Sequence, residues 1–244
     1  MLHALLHVIA FLSTFFFFIK ADAQSQISDT AFLHRIIDST INFASFGLQK
    51  NSGLFIGTEY AGYDRRIQGH PYFGSDSIAK GSVFFDGILY KNVPLLYDML
   101  LDEIILSGHS QTIPIKLLKI KVQYFYVNEE LFVKLEDENL KGPVVPGFYH
   151  LLYQDKVSVL AKRKKQILES RKEKDDVTFK QYVEYYIKKD NVLYEVDNNR
   201  SLLEVFNDQK DELRKYQRRN NIKFRKNPEQ ALVSTVSQYN KLMQ

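Results

Sequence analysis

The chain has 244 residues and no cysteine. That absence removes disulfides, zinc–thiolate centres and thiol nucleophiles together. It also excludes the small disulfide-stapled scaffolds typical of animal secretions. The common catalytic signatures are missing too: no His-Glu-x-x-His, no Gly-x-Ser-x-Gly, no phosphate loop of the Gly-x4-Gly-Lys type and no calcium loop. From Val8 to Ile19 the chain is uncharged and mostly apolar, but this run of 12 residues falls short of the roughly 20 that a membrane-spanning helix needs.

What is present at the start is a short apolar core followed by Ala21-Asp22-Ala23, a small-x-small pattern. Together they read as a secretory signal peptide, residues 1–23, cut after Ala23. Its first residues carry His3 and His7 rather than Lys or Arg, and Lys20 lies close to the cut; the alternative is an uncleaved N-terminal anchor. With no cysteine at the site, a lipoprotein anchor is excluded by chemistry. Cleavage would leave 221 residues from Gln24 and no transmembrane span, enough chain for a sizeable core. The expected location is outside the cytoplasm: periplasm, outer-membrane-associated or extracellular. A cysteine-free exported chain rich in Lys and Tyr suits a bacterial envelope.

Residues 81–106 organise the remainder. Asp86-Gly87 is a two-residue turn suited to a hairpin, because both positions tolerate positive φ. Asn92-Val93-Pro94 is expected to break the ladder, since Pro94 has no N–H to give, and residues 95–101 are expected to be extended again. Before this stretch, Asp29 or Thr30 caps a predicted helix over about 30–46, and residues 54–60 form a first strand. After it come apolar runs at 113–127 and 131–135, then 147–153 and 156–161 flanking the turn Gln154-Asp155. A long strand at 177–188 turns back at Asp190-Asn191 into 192–196. Turn signals recur and no βα alternation is seen, which argues an antiparallel sheet. The tail, 198–244, reads as short helices docked on the sheet. Ser201-Leu-Leu-Glu204 is a capping box, Asp208 a second cap, and Asn227-Pro228 a third start, with Leu232, Val236, Tyr239 and Met243 at helical spacing. The fold class is therefore mainly β (α+β): an antiparallel meander, with curling towards a barrel left open, one N-terminal helix and short C-terminal helices.

Two places could carry function. Residues 61–80 hold Gly62, Gly69, Pro71 and Gly74 among aromatics, and Tyr60, Tyr63, His70, Tyr72 and Phe73 form a candidate binding loop. The bland alternative has Tyr72 and Phe73 plugging the sheet edge and His70 bonding backbone. The second place is basic. The chain has a formal net charge of +4. Residues 161–176 carry seven Lys/Arg against four Asp/Glu, and residues 209–227 eight against two. Lys215, Arg218, Arg219, Lys223, Arg225 and Lys226 form a candidate surface for a polyanion such as an acidic glycan or lipid head groups. The alternative is a solvated helix face plus lysines guarding edge strands. No nucleic-acid module is evident.

Asp98 and Asp102, on one face of an extended stretch, would stand roughly 13 Å apart at ~3.3 Å per residue. Glycosidase pairs need about 5–5.5 Å or about 6.5–9.5 Å, so the two are expected to bond turn backbone, the Tyr97 neighbourhood, or Lys and Arg across the sheet. His70, His109 and His150 show no metal-ligand spacing, so no metal and no cofactor is expected.

Gly69-His-Pro-Tyr-Phe73, Phe85-Asp-Gly87, Leu96-Tyr-Asp98, Gly147-Phe-Tyr149, Tyr185-Tyr186, Ser201-Leu-Leu203 and Tyr239-Asn-Lys-Leu242 resemble exported β-rich proteins of Bacteroidetes bacteria, a group without an established activity. The resemblance implies bacterial export and a β-rich body, and transfers no catalytic residue. The expected function is a non-enzymatic binding or structural module of the bacterial envelope. The alternative is a hydrolase-like envelope or extracellular enzyme with its site near loop 60–73.

Overall fold

The computed structural model describes residues 54, 57–107, 113–136, 140–169 and 177–244; the export signal and the helix expected over 30–46 lie outside them. Among the described residues eleven strands form one sheet: β1 Gly57–Glu59, β2 Ala79–Phe85, β3 Ile88–Asp98, β4 Glu103–Leu106, β5 Ile115–Leu117, β6 Val122–Val127, β7 Glu130–Leu135, β8 Gly147–Tyr153, β9 Ser158–Glu169, β10 Val177–Lys189 and β11 Val192–Glu195. Their order is β1-β5-β4-β3-β2-β6-β7-β8-β9-β10-β11, every pair antiparallel. The sheet curls without closing, since β1 and β11 each pair on one side only.

Local chemistry sets the reversals. Asp86-Gly87, Asn128-Glu129 and Asp190-Asn191 join β2–β3, β6–β7 and β10–β11, and all six residues have positive φ. That is the backbone of the tight hairpin turn matched to strand twist. Pro94 does not end its strand. β3 runs through it, Pro94 standing opposite Lys80, and its carbonyl accepts from the Ser107 N–H at 3.2 Å. The missing N–H faces the same side as that carbonyl, towards Ser107, one residue past the end of β4, so the paired ladder loses no bond. A separate bulge at Gly81/Ser82, with Asn92 at φ 55°, lies on the β2 side. The extended stretch expected over 95–101 also ends early: Asp98 pairs with Glu103 and residues 99–102 form the turn. The connection expected as Gln154-Asp155 spans residues 154–157. Val157 is held off the ladder because the Asn240 side chain accepts its N–H at 3.1 Å and donates to its carbonyl at 3.0 Å.

Register places Val83, Phe125, Phe132, His150, Ala161 and Tyr185 side by side in one row across six strands. The first core gathers at the β2–β8 end of this face, where Phe125 stacks on Phe132 at 5.0 Å and Tyr97 packs 4.8 Å from Phe132. At the β9–β11 end, Val157, Val159 and Ile187 meet three helices: α1 Asn199–Val205, α2 Lys210–Arg219 and α3 Pro228–Leu242. Leu202, Phe206, Leu213, Leu232 and Val236 are each fully buried there, each contributing about 1.5–3 kcal/mol.

The helix starts differ in part from those expected. Asn198, not Ser201, caps α1: its side chain accepts from the N–H groups of Arg200 and Ser201, and the Ser201 hydroxyl returns the bond. Glu204 pairs with Arg200 on the exposed face. Asp208 caps nothing; it sits in a 3₁₀ turn and accepts from the Tyr239 hydroxyl at 3.1 Å. Asn227 does cap α3, accepting the Gln230 N–H, with Pro228 at the first helical position. Among the described residues no helix is long and apolar enough to cross a membrane.

Candidate functional site

Loop 60–78 lies against the curled sheet and is tied to it at both sides. Gln68 exchanges backbone hydrogen bonds with the Val177–Phe179 segment of β10, and Phe73 and Met99 bond to Tyr97 and Pro71. The anchor beneath is Asp98, fully buried. One of its oxygens accepts from the Tyr60 and Tyr63 hydroxyls at 2.8 and 2.9 Å. The other accepts from the Leu100 and Leu101 N–H groups of the turn. Tyr72 brings its hydroxyl within 3.2 Å of that of Tyr60, and His70 stacks on Tyr72. Burial, then the Lys165 charge, lowers the His70 pKa. Burial, with the Asp98 carboxylate, pushes the Tyr60 and Tyr63 phenols up, so both stay protonated donors. Phe73 leaves this group and packs edge-on to Phe132 in the first core.

Asp102 stands on the far side of the same turn and serves a different neighbourhood. Its carboxylate accepts from the Tyr97 hydroxyl at 2.6 Å, Lys119 Nζ at 2.6 Å, Lys162 Nζ at 3.0 Å and the Phe148 N–H at 3.2 Å. Gly147 makes room for this: a Cβ there would fall 2.0 Å from Asp102 Oδ2 and 2.4 Å from Lys162 Nζ. The two aspartates are therefore not a pair on one strand face. Each carboxylate has about four acceptor sites, and each meets four donors.

A third polar group crosses the face between the two cores. His150 Nε2 lies 2.8 Å from a Glu130 oxygen, and its Nδ1 accepts from Arg163 Nε at 3.0 Å. Arg163 Nη2 donates to Glu229 at the start of α3 at 2.9 Å, and the Tyr185 hydroxyl donates to the same oxygen at 3.3 Å. Burial, then the Arg163 charge, lowers the His150 pKa; burial, then the Glu229 charge, pushes Tyr185 up to about 12. Spacing along the chain gives no sign of this group, because its members come from four strands and one helix. His70 and His150 occupy separate surroundings, His109 lies outside the described residues, and among the described residues no three His, Asp or Glu are grouped to hold a metal.

The two basic stretches part company. Lys162, Arg163, Lys164 and Lys165 lie on β9 just past Ala161, where its pairing with β8 stops while its pairing with β10 continues. Lys162 pairs with Asp102, Arg163 with Glu229 and Lys164 with Glu184, while Lys165 Nζ donates to the His70 and Tyr72 carbonyls at 2.6 and 3.0 Å. In the tail, Lys215 pairs with Glu212. Arg218, Arg219, Lys223, Arg225 and Lys226 are exposed, and none has an ion-pair partner among the described residues. Half-buried Ile222 and buried Phe224 pin the connection between α2 and α3 to the second core, so the cations beside them face solvent.

Compared with known protein families, with characterised proteins and with solved structures, the chain matches none.

Proposed function

We propose that the protein is an exported, non-enzymatic binding module of the bacterial envelope that engages an acidic polymer through the rim formed by residues 218–226. The observation that carries this reading is the contrast between its cations. Those of β9 are spent on carboxylates and carbonyls inside the fold. The five of the rim are exposed and unpaired among the described residues. Arg218 and Arg219 also sit at the C-terminal end of α2, where the helix dipole favours positive charge. That local role accounts for two of the five.

The buried carboxylates support a binding rather than a catalytic role. Asp98 and Asp102 have their acceptor sites filled by protein donors, so neither is poised to take a proton from a substrate. An acidic glycan fits the rim better than a lipid surface. The apolar residues of the segment, Ile222 and Phe224, turn into the core, leaving none to enter a bilayer.

Retention on a sulfated-polysaccharide matrix tests the reading. It should be strong at low salt and fall steeply as salt rises, because each neutralised charge releases a counterion. Arg218→Gln with Arg219→Gln should abolish most of it while stability changes by less than about 1 kcal/mol. No retention at low salt, or retention indifferent to the double substitution, overturns it.

A further inference from the structure

His150 is 3% exposed and its ring is held on every side. Phe132 stacks on it at 5.0 Å and Phe73 approaches edge-on at 6.0 Å. The charged and titratable groups that face it are Glu130 from β7, Arg163 from β9, and, beyond Arg163, Glu229 from α3 with Tyr185 from β10. Arg163 Nε can only donate, so the Nδ1 atom that receives its bond must be unprotonated. The ring proton then sits on Nε2 and is donated to Glu130. The arrangement is consistent with one protonation state only. A second proton would go to Nδ1, setting N–H against N–H and cation against cation at 3.0 Å.

Arg163 cannot relax alone, because the same guanidinium holds Glu229, the second residue of α3. We propose that protonation of His150 is an acid-triggered release: it displaces Arg163 from Glu229, leaves that carboxylate only the longer Tyr185 hydroxyl bond at 3.3 Å, and loosens the N-terminal turn of α3 from the sheet. The helix C-terminus is fastened separately, through Asn240 and Val157, so release begins at the Pro228 end. That end directly follows the cationic rim, so mild acid would also unfix the rim. The effect on the rim rests on the polyanion reading; the release itself does not.

The direction follows from the surroundings. Burial first and the Arg163 charge second hold His150 below the ordinary histidine value, against a smaller opposing pull from Glu130. The unfolded or released chain titrates near ~6.5. The clamp is therefore fully present above that pH. It weakens by up to about tenfold in its equilibrium constant per pH unit as pH falls from there towards the folded-state value.

Hydrogen exchange on the full chain, corrected for intrinsic rates, tests the release at pH 7.5 and pH 5.0, the latter above the ordinary carboxylate range of about 4–4.5. Amides at the start of α3 should lose protection at pH 5.0, by at most about 30-fold for one proton taken up at ~6.5 in the released chain, while those of the β2–β3 hairpin keep theirs. His150→Gln places a carbonyl towards Arg163 and an amide towards Glu130 with nothing to titrate, and should keep α3 protected at both pH values. Unchanged protection in the parent chain, or equal loss in His150→Gln, overturns the proposal. Should that variant not fold, the imidazole NMR titration of His150 in the parent chain decides. A midpoint coinciding with the loss of protection supports the release, and midpoints more than about one unit apart refute it. Protection that switches while polysaccharide retention is absent at every pH sinks the polyanion reading and leaves the release standing.

Discussion

Asp102→Asn is the substitution with the largest consequence that the structure allows to be worked through. The carboxylate meets two ammonium groups of unlike exposure. The Lys119 side chain is 30% exposed and the Lys162 side chain 4%. Without the negative charge Lys119 can swing into water, losing a pair worth about 0–1 kcal/mol. Lys162 has no such exit. Burial already lowers its pKa although Asp102 pulls the other way, and a buried charge stripped of its partner costs about 3–5 kcal/mol. The asparagine oxygen can keep only part of the Tyr97 and Phe148 bonds, at about 1 kcal/mol for one lost. The expected loss is about 4–7 kcal/mol, a large share of the roughly 5–15 kcal/mol that holds a typical domain. Urea unfolding followed by circular dichroism and tyrosine fluorescence would measure it, since the chain has 15 tyrosines and no tryptophan. Lys162→Met should cost less, about 2 kcal/mol at most, because Asp102 keeps Lys119, Tyr97 and the Phe148 N–H. The double variant should be more stable than the sum of the singles by about 3 kcal/mol or more, because no lysine is left stranded when Lys162 is replaced. A loss under about 1 kcal/mol for Asp102→Asn, or strict additivity, would refute the view that this carboxylate neutralises a buried lysine.

Gly147→Ala should be destabilising by about 2–4 kcal/mol on the same urea assay, since its Cβ would overlap the Asp102–Lys162 pair and its φ is +142°; a neutral result would mean that the pair lies elsewhere. Gly87→Val meets nothing within 4 Å and suffers only from its φ of +79°, so about 1–2 kcal/mol is expected, with full thermal stability contradicting the turn assignment. Asn240→Ala leaves the buried Val157 N–H and carbonyl unsatisfied, at about 2 kcal/mol or more. Hydrogen exchange should rise first at residues 154–157, and exchange confined to other regions would count against the clamp.

The strands were legible where one residue decides the backbone. Asp86-Gly87 and Asp190-Asn191 are turn pairs with positive φ at both positions, and the alternation over 177–188 became β10. Legibility failed where a partner remote in sequence decides. Pro94 reads as a break because it lacks a donor, yet the missing N–H faces Ser107, past the end of β4, where the paired ladder has already stopped. Ser201 and Glu204 have the spacing of a capping box, but the helix starts three residues earlier at Asn198, whose side-chain carbonyl takes the Arg200 and Ser201 N–H groups, so the Glu204 N–H lies inside the helix rather than at its open end. Gln154-Asp155 looks like a two-residue turn because nothing nearby announces that Asn240 will claim Val157. Strand order was hidden for the same reason: β5 lies beside β1 and β4 rather than β6, a consequence of curl that residue periodicity does not encode.

The candidate site divides along the same line. Tyr60, Tyr63, His70 and Tyr72 were visible as aromatics crowded into a glycine-rich loop, and they do gather. Their anchor, Asp98, was legible only as an acid inside an extended stretch; that the chain turns at residues 99–102, placing Asp98 and Asp102 in different neighbourhoods, was not. The run Lys162-Arg-Lys-Lys165 is the instructive case. Four consecutive cations read as solvent-facing because burying one unpaired charge is prohibitive. On a strand, however, successive side chains point to opposite faces, so the run is two pairs rather than one patch. Lys162 and Lys164 meet Asp102 and Glu184 on one face; Arg163 and Lys165 meet Glu229 and the loop carbonyls on the other. Each partner lies at least 20 residues away in sequence, beyond the reach of any local pattern. Charge density along a chain therefore separates a binding rim from a structural interior only once it is known which cations lack partners. Here that test leaves residues 218–226 and removes the cations of β9.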